Sequence, residues 1–231
     1  MASTPPPALP DLDDGPYDVE FFFDPVCPFA WQTSVWIRRV AELRGITIGW
    51  RFISLRMVNE GLDQRPEMVA AHQRGLRYLR ICAAAREKLG NAAVDQLYRA
   101  WGKSYWYTPF AGELMERLTF AADKSDPTEV VRSLGLPDVL ADAADDDSWD
   151  ALIRAESDEA LRRTGANLGT PILTFDPPTG NSLFGPVISA VPDDDKALAF
   201  YDALRTFADF DGFSELKRTK RAPLDLPLFT G

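Results

Sequence analysis

Phe21-Phe22-Phe23-Asp24-Pro25-Val26-Cys27-Pro28-Phe29-Ala30-Trp31 is the stretch that decides the fold. Its front end completes a β-branched and aromatic run from Tyr17 to Phe23. That run is too continuously apolar for a strand with one wet face, so it reads as a central strand buried on both sides. Asp24-Pro25 is a turn signal, and a helical pattern follows at once. Pro28 suits the first turn of that helix, where its missing N–H costs nothing. Phe29, Trp36, Val40 and Leu43 recur at helical spacing, and Gly45 is the expected stop. A second strand, Ile46 to Leu55, alternates Ile46, Ile48, Trp50 and Phe52 on one face. Strand, helix and strand at this spacing predict a βαβ unit with parallel strands.

Working outward, residues 61–166 carry helical patterns only. Helices are expected near Pro66–Leu89, Ala92–Lys103, Gly112–Lys124, Thr128–Leu134 and Ser148–Thr164, with Asp145 to Asp147 supplying N-terminal carboxylates for the last. A strand signal returns at Pro171–Phe175 and turns through Asp176-Pro177-Pro178-Thr179-Gly180-Asn181 into Ser182–Phe184, as a hairpin would. A final helix is expected from Asp193 to Phe207 behind three aspartates. The order is βαβ, a helical block, then ββα. The expected fold class is therefore α/β, a thioredoxin fold carrying a large helical insertion. In this reading residues 17–60 and 167–216 form a discontinuous thioredoxin-like domain and residues 61–166 the inserted helical domain. Residues 1–16 are a disordered or extended N-terminal tail, and residues 217–231 a C-terminal tail.

Composition narrows the function. The 231 residues bear a formal charge of −10 and a pI near 4.7, which argues against a dedicated nucleic-acid binder. No apolar run approaches the roughly 18 to 20 residues of a membrane span. Met1 to Asp14 is Pro-rich and acidic and lacks the basic start and apolar core of a secretory signal, so a cytoplasmic protein is expected. Two cysteines make no disulfide scaffold. One histidine, with no CxxC or HxxxH, leaves a metal site almost without ligands, and none is expected. That histidine, His72, has polar neighbours and reads as an exposed helical residue.

Chemistry concentrates at Cys27. It sits where a buried strand meets a helix start, so unpaired N–H groups and the positive helix end favour an anion there. A thiol so placed is expected to have a lowered pKa and to act as a nucleophile; the alternative is a small buried hydrophobe. Gly169-Thr170-Pro171 precedes the returning strand, and a proline there marks an edge, a turn or a cis peptide. Cys82, flanked by small apolar residues on a helix, reads as a buried structural cysteine; a redox partnership with Cys27 would need the two Cα atoms within about 7 Å. Trp101, Tyr105, Trp106, Tyr107 and Phe110 form an aromatic cluster suited to core packing or to lining a pocket. Lys217-Arg218-Thr219-Lys220-Arg221 reads as a solvated basic run.

The segment Phe21 to Trp31 resembles the DsbA-like branch that contains mycothiol-dependent nitroreductases and FrnE-type oxidoreductases. Ser54-Leu55 with Asn59-Glu60, Gly169-Thr170-Pro171, Phe184-Gly185-Pro186-Val187 and Glu215-Leu216-Lys217-Arg218-Thr219 are similar to the nitroreductase subgroup, so the likeness runs from residue 21 to 219. It implies a homodimer that uses mycothiol, or another low-molecular-weight thiol, as cosubstrate on a small electrophilic or nitro-aromatic compound. Cys27 would be the nucleophile. Asp24, Pro28, Phe29, Ala30, Trp31, Gly169, Thr170 and Pro171 would form the thiol- and substrate-binding surround, with the Thr170 backbone before a cis Pro171 pairing with the bound thiol.

One departure matters. Disulfide-exchanging relatives carry CPxC, whereas the fourth position here is Ala30. A second thiolate within the motif cannot resolve a mixed disulfide, so monothiol chemistry is expected. The mixed disulfide would be released by a second small thiol or by a redoxin partner. The alternatives are a kappa-class-like glutathione transferase or isomerase, and a non-catalytic thioredoxin-like binding module.

Overall fold

A computed structural model describes residue 12 and residues 15–108, 112–166, 168–219 and 222–230. Strand β1 (Val19–Phe23) is buried at all five positions, as its unbroken apolar run requires. Helix α1 (Pro28–Arg44) begins with Pro28 and ends at Gly45, whose φ of 69° lies in the left-handed region that glycine enters without penalty. Strand β2 (Ile48–Phe52) lies parallel to β1, with Phe21 opposite Trp50.

The chain then passes through α2 (Leu55–Val58), α3 (Pro66–Leu89), α4 (Asn91–Trp106), α5 (Leu114–Lys124), α6 (Pro127–Ser133), α7 (Val139–Asp142) and α8 (Asp150–Thr164). Strands β3 (Ile172–Phe175) and β4 (Ser182–Phe184), then α9 (Asp194–Ala208) and α10 (Pro227–Thr230), complete it. The sheet order is β2-β1-β3-β4, with β3 antiparallel to β1 and to β4. This is the expected thioredoxin fold interrupted by helices. The element ends differ from the sequence reading by a few residues. The short helices α2, α7 and α10 lie where none was expected.

The sheet divides the core. Val19, Phe21, Phe23, Trp50 and Phe52 join the large cluster that also takes residues of α1, α3, α4 and α9. Phe22, Ile53 and Ile172 pack with Ala160 of α8 on the other side. On that second face β1 and β2 also carry charge. Arg51 of β2 reaches Glu20 of β1 at 2.7 Å and Glu156 of α8 at 3.2 Å. Glu156 also takes Arg86 of α3 at 2.7 Å and accepts the Phe52 backbone N–H at 2.7 Å. Arg163 of α8 reaches Glu20 at 2.9 Å. The helical segment is thereby bonded to the sheet through buried, mutually satisfied ions.

Two expectations change. His72 is only 6% exposed, because α3 runs beneath α2 and turns that residue inward despite its polar neighbours. Residues 217–231 are not a free tail throughout: Leu226 and Leu228 are fully buried, and α10 packs on α4 and α5. Phe110, Lys220 and Arg221, together with residues 1–11, 13 and 14 of the N-terminal tail, lie outside the described residues. Among the described residues no helix is long and apolar enough to cross a membrane.

The charged network makes a quantitative claim. Glu156→Ala strips Arg86 of its carboxylate, leaves Arg51 with Glu20 alone and unpairs the Phe52 N–H, and is expected to lower the unfolding free energy by about 3–5 kcal/mol. Arg154→Ala, which removes the exposed 3.1 Å pair with Glu60, should change it by less than about 1 kcal/mol. Urea denaturation of the two variants checks the contrast; similar small losses would show that the buried ions are not what joins the layers.

Candidate active site

Cys27 is the N-cap of α1, with extended backbone angles, and its Sγ accepts the Ala30 N–H at 3.4 Å. The same sulfur lies 3.4 Å from the carbonyl oxygen of Thr170, to which the thiol donates. The Thr170–Pro171 peptide is cis. Thr170 is tied back by its own hydroxyl, which donates to the Phe22 carbonyl at 2.8 Å. Two segments 143 residues apart therefore meet at one sulfur.

Asp24 anchors the turn that presents this cysteine. One carboxyl oxygen accepts the Val26 N–H at 3.0 Å, and the other accepts the Leu55 N–H at 2.7 Å. The carboxyl thus joins the loop after β1 to the loop after β2. Gly75 of α3 closes over it so tightly that a Cβ there would come within 2.5 Å of Oδ1. Full burial pushes the Asp24 pKa up to about 7, outweighing the two amide donors that favour its charged form.

The ionisation of Cys27 corrects the sequence reading. Burial pushes the thiol up to about 12, and the neighbouring Asp24 carboxyl adds to the rise. The N–H groups of Ala30 and Phe29 pull the other way but recover only part of it. The helix start is present as expected. At 8% exposure, however, the loss of hydration exceeds what two amide dipoles return, so the resting sulfur is a thiol. Cys82 is fully buried and also raised by burial. Both cysteines are free.

The other expected residues are distributed around this centre. Ala30 is buried against the sulfur through its N–H, while Pro28 and Phe29 are half-buried at the helix start. Gly169 faces Leu55, at 3.5 Å from where its Cβ would stand. Trp31 is directed to α4 instead: a Cβ on Gly102 would fall 2.1 Å from its ring, so only glycine admits it. Polar residues that the sequence reading passed over support the same end of α1. Thr33 donates to the Pro186 carbonyl at 2.7 Å, and Gln32 donates to Ser189 and Asp225 carbonyls at 3.1 and 2.8 Å. The Gly185–Pro186 peptide is cis, and the Gly185 N–H donates to the Pro171 carbonyl at 2.8 Å. The run Gln32-Thr33-Ser34, polar on the buried side of a helix, was the available signal.

The family model described as Rv2466c-like, mycothiol-dependent nitroreductase Rv2466c, matches residues 26–218. The uncharacterized protein Rv2286c of Mycobacterium tuberculosis (strain ATCC 25618 / H37Rv) is 34% identical over 214 residues, covering 91% of this chain and 85% of that protein. Among solved structures, 2-hydroxychromene-2-carboxylate isomerase is 17% identical with a TM-score of 0.50, over 81% of this chain and 94% of that one. A structure from Nitrosomonas europaea is 11% identical with a TM-score of 0.53, over 81% and 97%. At those identities the two structures show the fold alone.

Asp24 gives the site a pH signature. Unfolded, its carboxyl titrates near the ordinary 3.8; folded, near 7. Between these values the native state holds a proton that the unfolded state has released, so stability falls as pH rises through that window, by at most about 1.4 kcal/mol per pH unit. Asp24→Asn carries no such proton. The expected outcome is a stability difference between wild type and variant that changes between pH 4 and 7 and is level above about pH 8. A pH-independent difference in denaturation midpoints would contradict the raised carboxyl.

Proposed function

The chain belongs to the Rv2466c-like, mycothiol-dependent nitroreductase family, and on that premise we propose a thiol-dependent oxidoreductase that works through the single cysteine Cys27. The observation that carries this reading is the 3.4 Å approach of Cys27 Sγ to the Thr170 carbonyl, beside cis Pro171 and with Ala30 in place of a second thiol. Residues 17–60 and 167–216 form the thioredoxin-like unit that carries the site, and residues 61–166 form the helical unit over it.

In this proposal the cosubstrate is mycothiol or a similar small thiol, and the acceptor is a small electrophilic or nitro-aromatic compound. Thr170, before Pro171, aligns the small thiol with the Cys27 sulfur. Asp24 holds the turn that presents Cys27 by accepting the Val26 and Leu55 N–H groups. Cys27 and one small thiol each give one electron and one proton to the acceptor, which is reduced by two electrons, and a Cys27–small-thiol disulfide forms. A second small thiol, or a redoxin, attacks that disulfide. It regenerates the Cys27 thiol and carries away the oxidised pair. Atoms and electrons balance without a second cysteine in the protein.

The burial of Cys27 favours one other reading, a thioredoxin-like binding module whose thiol does not turn over. Intact mass after incubation with mycothiol disulfide and, separately, glutathione disulfide separates the two. The oxidoreductase reading expects one small-thiol adduct on the wild type and none on Cys27→Ala. A stronger adduct from glutathione would move the cosubstrate to glutathione. No adduct from either, with the thiol also resisting iodoacetamide at pH 8, would leave the binding module.

A further inference from the structure

Helices α1 and α4 part on their outer sides to leave a cleft of about 510 Å3, within the size range of small-molecule sites. Tyr107 and Val35 supply its apolar wall, with the edge of Trp31, 1% exposed, at the floor, where it meets Tyr107 edge to face at 6.1 Å and 70°. Gly102 locks the Trp31 ring in place. Tyr107, the C-cap of α4, is 40% exposed, unlike Trp101, Tyr105 and Trp106, which are buried in the core. The described part of the aromatic cluster therefore divides, and Tyr107 faces this cleft.

The rim is cationic in a chain of net charge −10. Arg39 stands on one side, and Arg99 and Lys103 on the other, one helical turn apart. Behind them, Arg38 and Arg99 share the single carboxylate of Asp95, at 2.7 and 3.2 Å. Arg39 is matched by Glu42 and Asp194, at 3.0 and 2.5 Å. Lys103 has no ion-pair partner among the described residues. Four cations against three carboxylates leave one positive charge unmatched, at the exposed end of the apolar wall.

The cleft is also aligned with the thiol. Cys27, Trp31, Val35, Arg38 and Glu42 are spaced four, four, three and four residues apart, which places them along one face of α1. Trp31 is one turn, about 6 Å of rise, beyond Cys27.

We propose that this cleft is a binding site for a planar aromatic anion of one or two rings, such as an aryl carboxylate. The ring lies against Tyr107 and Val35, over the buried edge of Trp31, and the carboxylate meets Lys103 and Arg99. Flat apolar surface selects the ring, and the unmatched ammonium selects the charge. The site stands on its own geometry and holds whether or not Cys27 exchanges thiols.

Binding of 2-naphthoate to the full chain at low salt, read by calorimetry without turnover, tests this against its neutral analogue 2-naphthylmethanol. The expected result is naphthoate bound at least about fivefold more tightly than the alcohol, and weakened roughly tenfold by Lys103→Glu. Tyr107→Ala should weaken both ligands, and Cys27→Ala neither. Equal affinity for naphthoate and the alcohol, or a Lys103→Glu variant that binds like wild type, would overturn the proposal. So would loss of binding in Cys27→Ala, which would put the ligand at the sulfur. A dimer that Lys103→Glu dissociates in sedimentation would also overturn it, since a second copy would then fill the cleft.

Discussion

Arg51 joins the sheet of this molecule to the helix over its second face. Its guanidinium bridges Glu20 on the neighbouring strand and Glu156 on α8, and Arg86 and Arg163 complete the set from two helices. Ions so deeply placed are tolerated only when each finds partners of opposite charge in hydrogen-bonding geometry. The requirement is directional, unlike apolar contact. The second face of the sheet therefore accepts α8 in one register, and that register fixes the loop after β2. Ser157, one residue beyond Glu156, receives the Ser54 N–H at 3.0 Å. The next amide along, that of Leu55, is the one Asp24 holds.

The site inherits this rigidity, and burial keeps its thiol protonated. A helix start alone would draw the Cys27 thiol toward ionisation; burial draws it the other way and prevails. An acidic thiol in the open would meet any oxidant. The Asp24 carboxyl, in the same turn, is likewise held near 7. The two raised values share their largest cause, the exclusion of water from the junction of β1, α1 and α3.

Much of this was legible from residues. The unit β1-α1-β2 was readable because Phe21 to Phe23, Pro28 and Gly45 each carry a local conformational signal that tertiary packing reinforces. The grouping of Thr170 with Cys27 came from the family resemblance, since a proline at a strand entry by itself left an edge, a turn and a cis peptide open. The short helices were not readable, because four residues make too few internal bonds to imprint a period on the sequence. His72 was misplaced because polar neighbours on a 24-residue helix say little about which side α2 will cover. The thiol ionisation was also beyond reach. The helix dipole can be read from position 27, but depth depends on Thr170 and Gly75, which the fold alone brings there. Leu226 and Leu228 were taken for tail because the Pro-Leu-Asp-Leu-Pro-Leu-Phe run lacks the length of a strand or helix, although its alternation of leucines marked an apolar side.

The strand order has a consequence in time. β1 pairs with β2 across fewer than 30 intervening residues, but its other edge waits for β3, where Phe22 meets Ile172 across 150 positions of sequence. Contacts so remote are made late, because the intervening loop must first be ordered. The hairpin of α3 and α4, packed chiefly on itself, needs no such distant partner and can assemble first. Until β3 is carried into place, Phe21-Phe22-Phe23 forms the open edge of an unfinished sheet, with unpaired N–H and C=O groups beside three phenylalanines. Such an edge is a ready template for another nascent chain. The interruption that positions the site therefore also sets the interval in which the molecule is most exposed to misassembly.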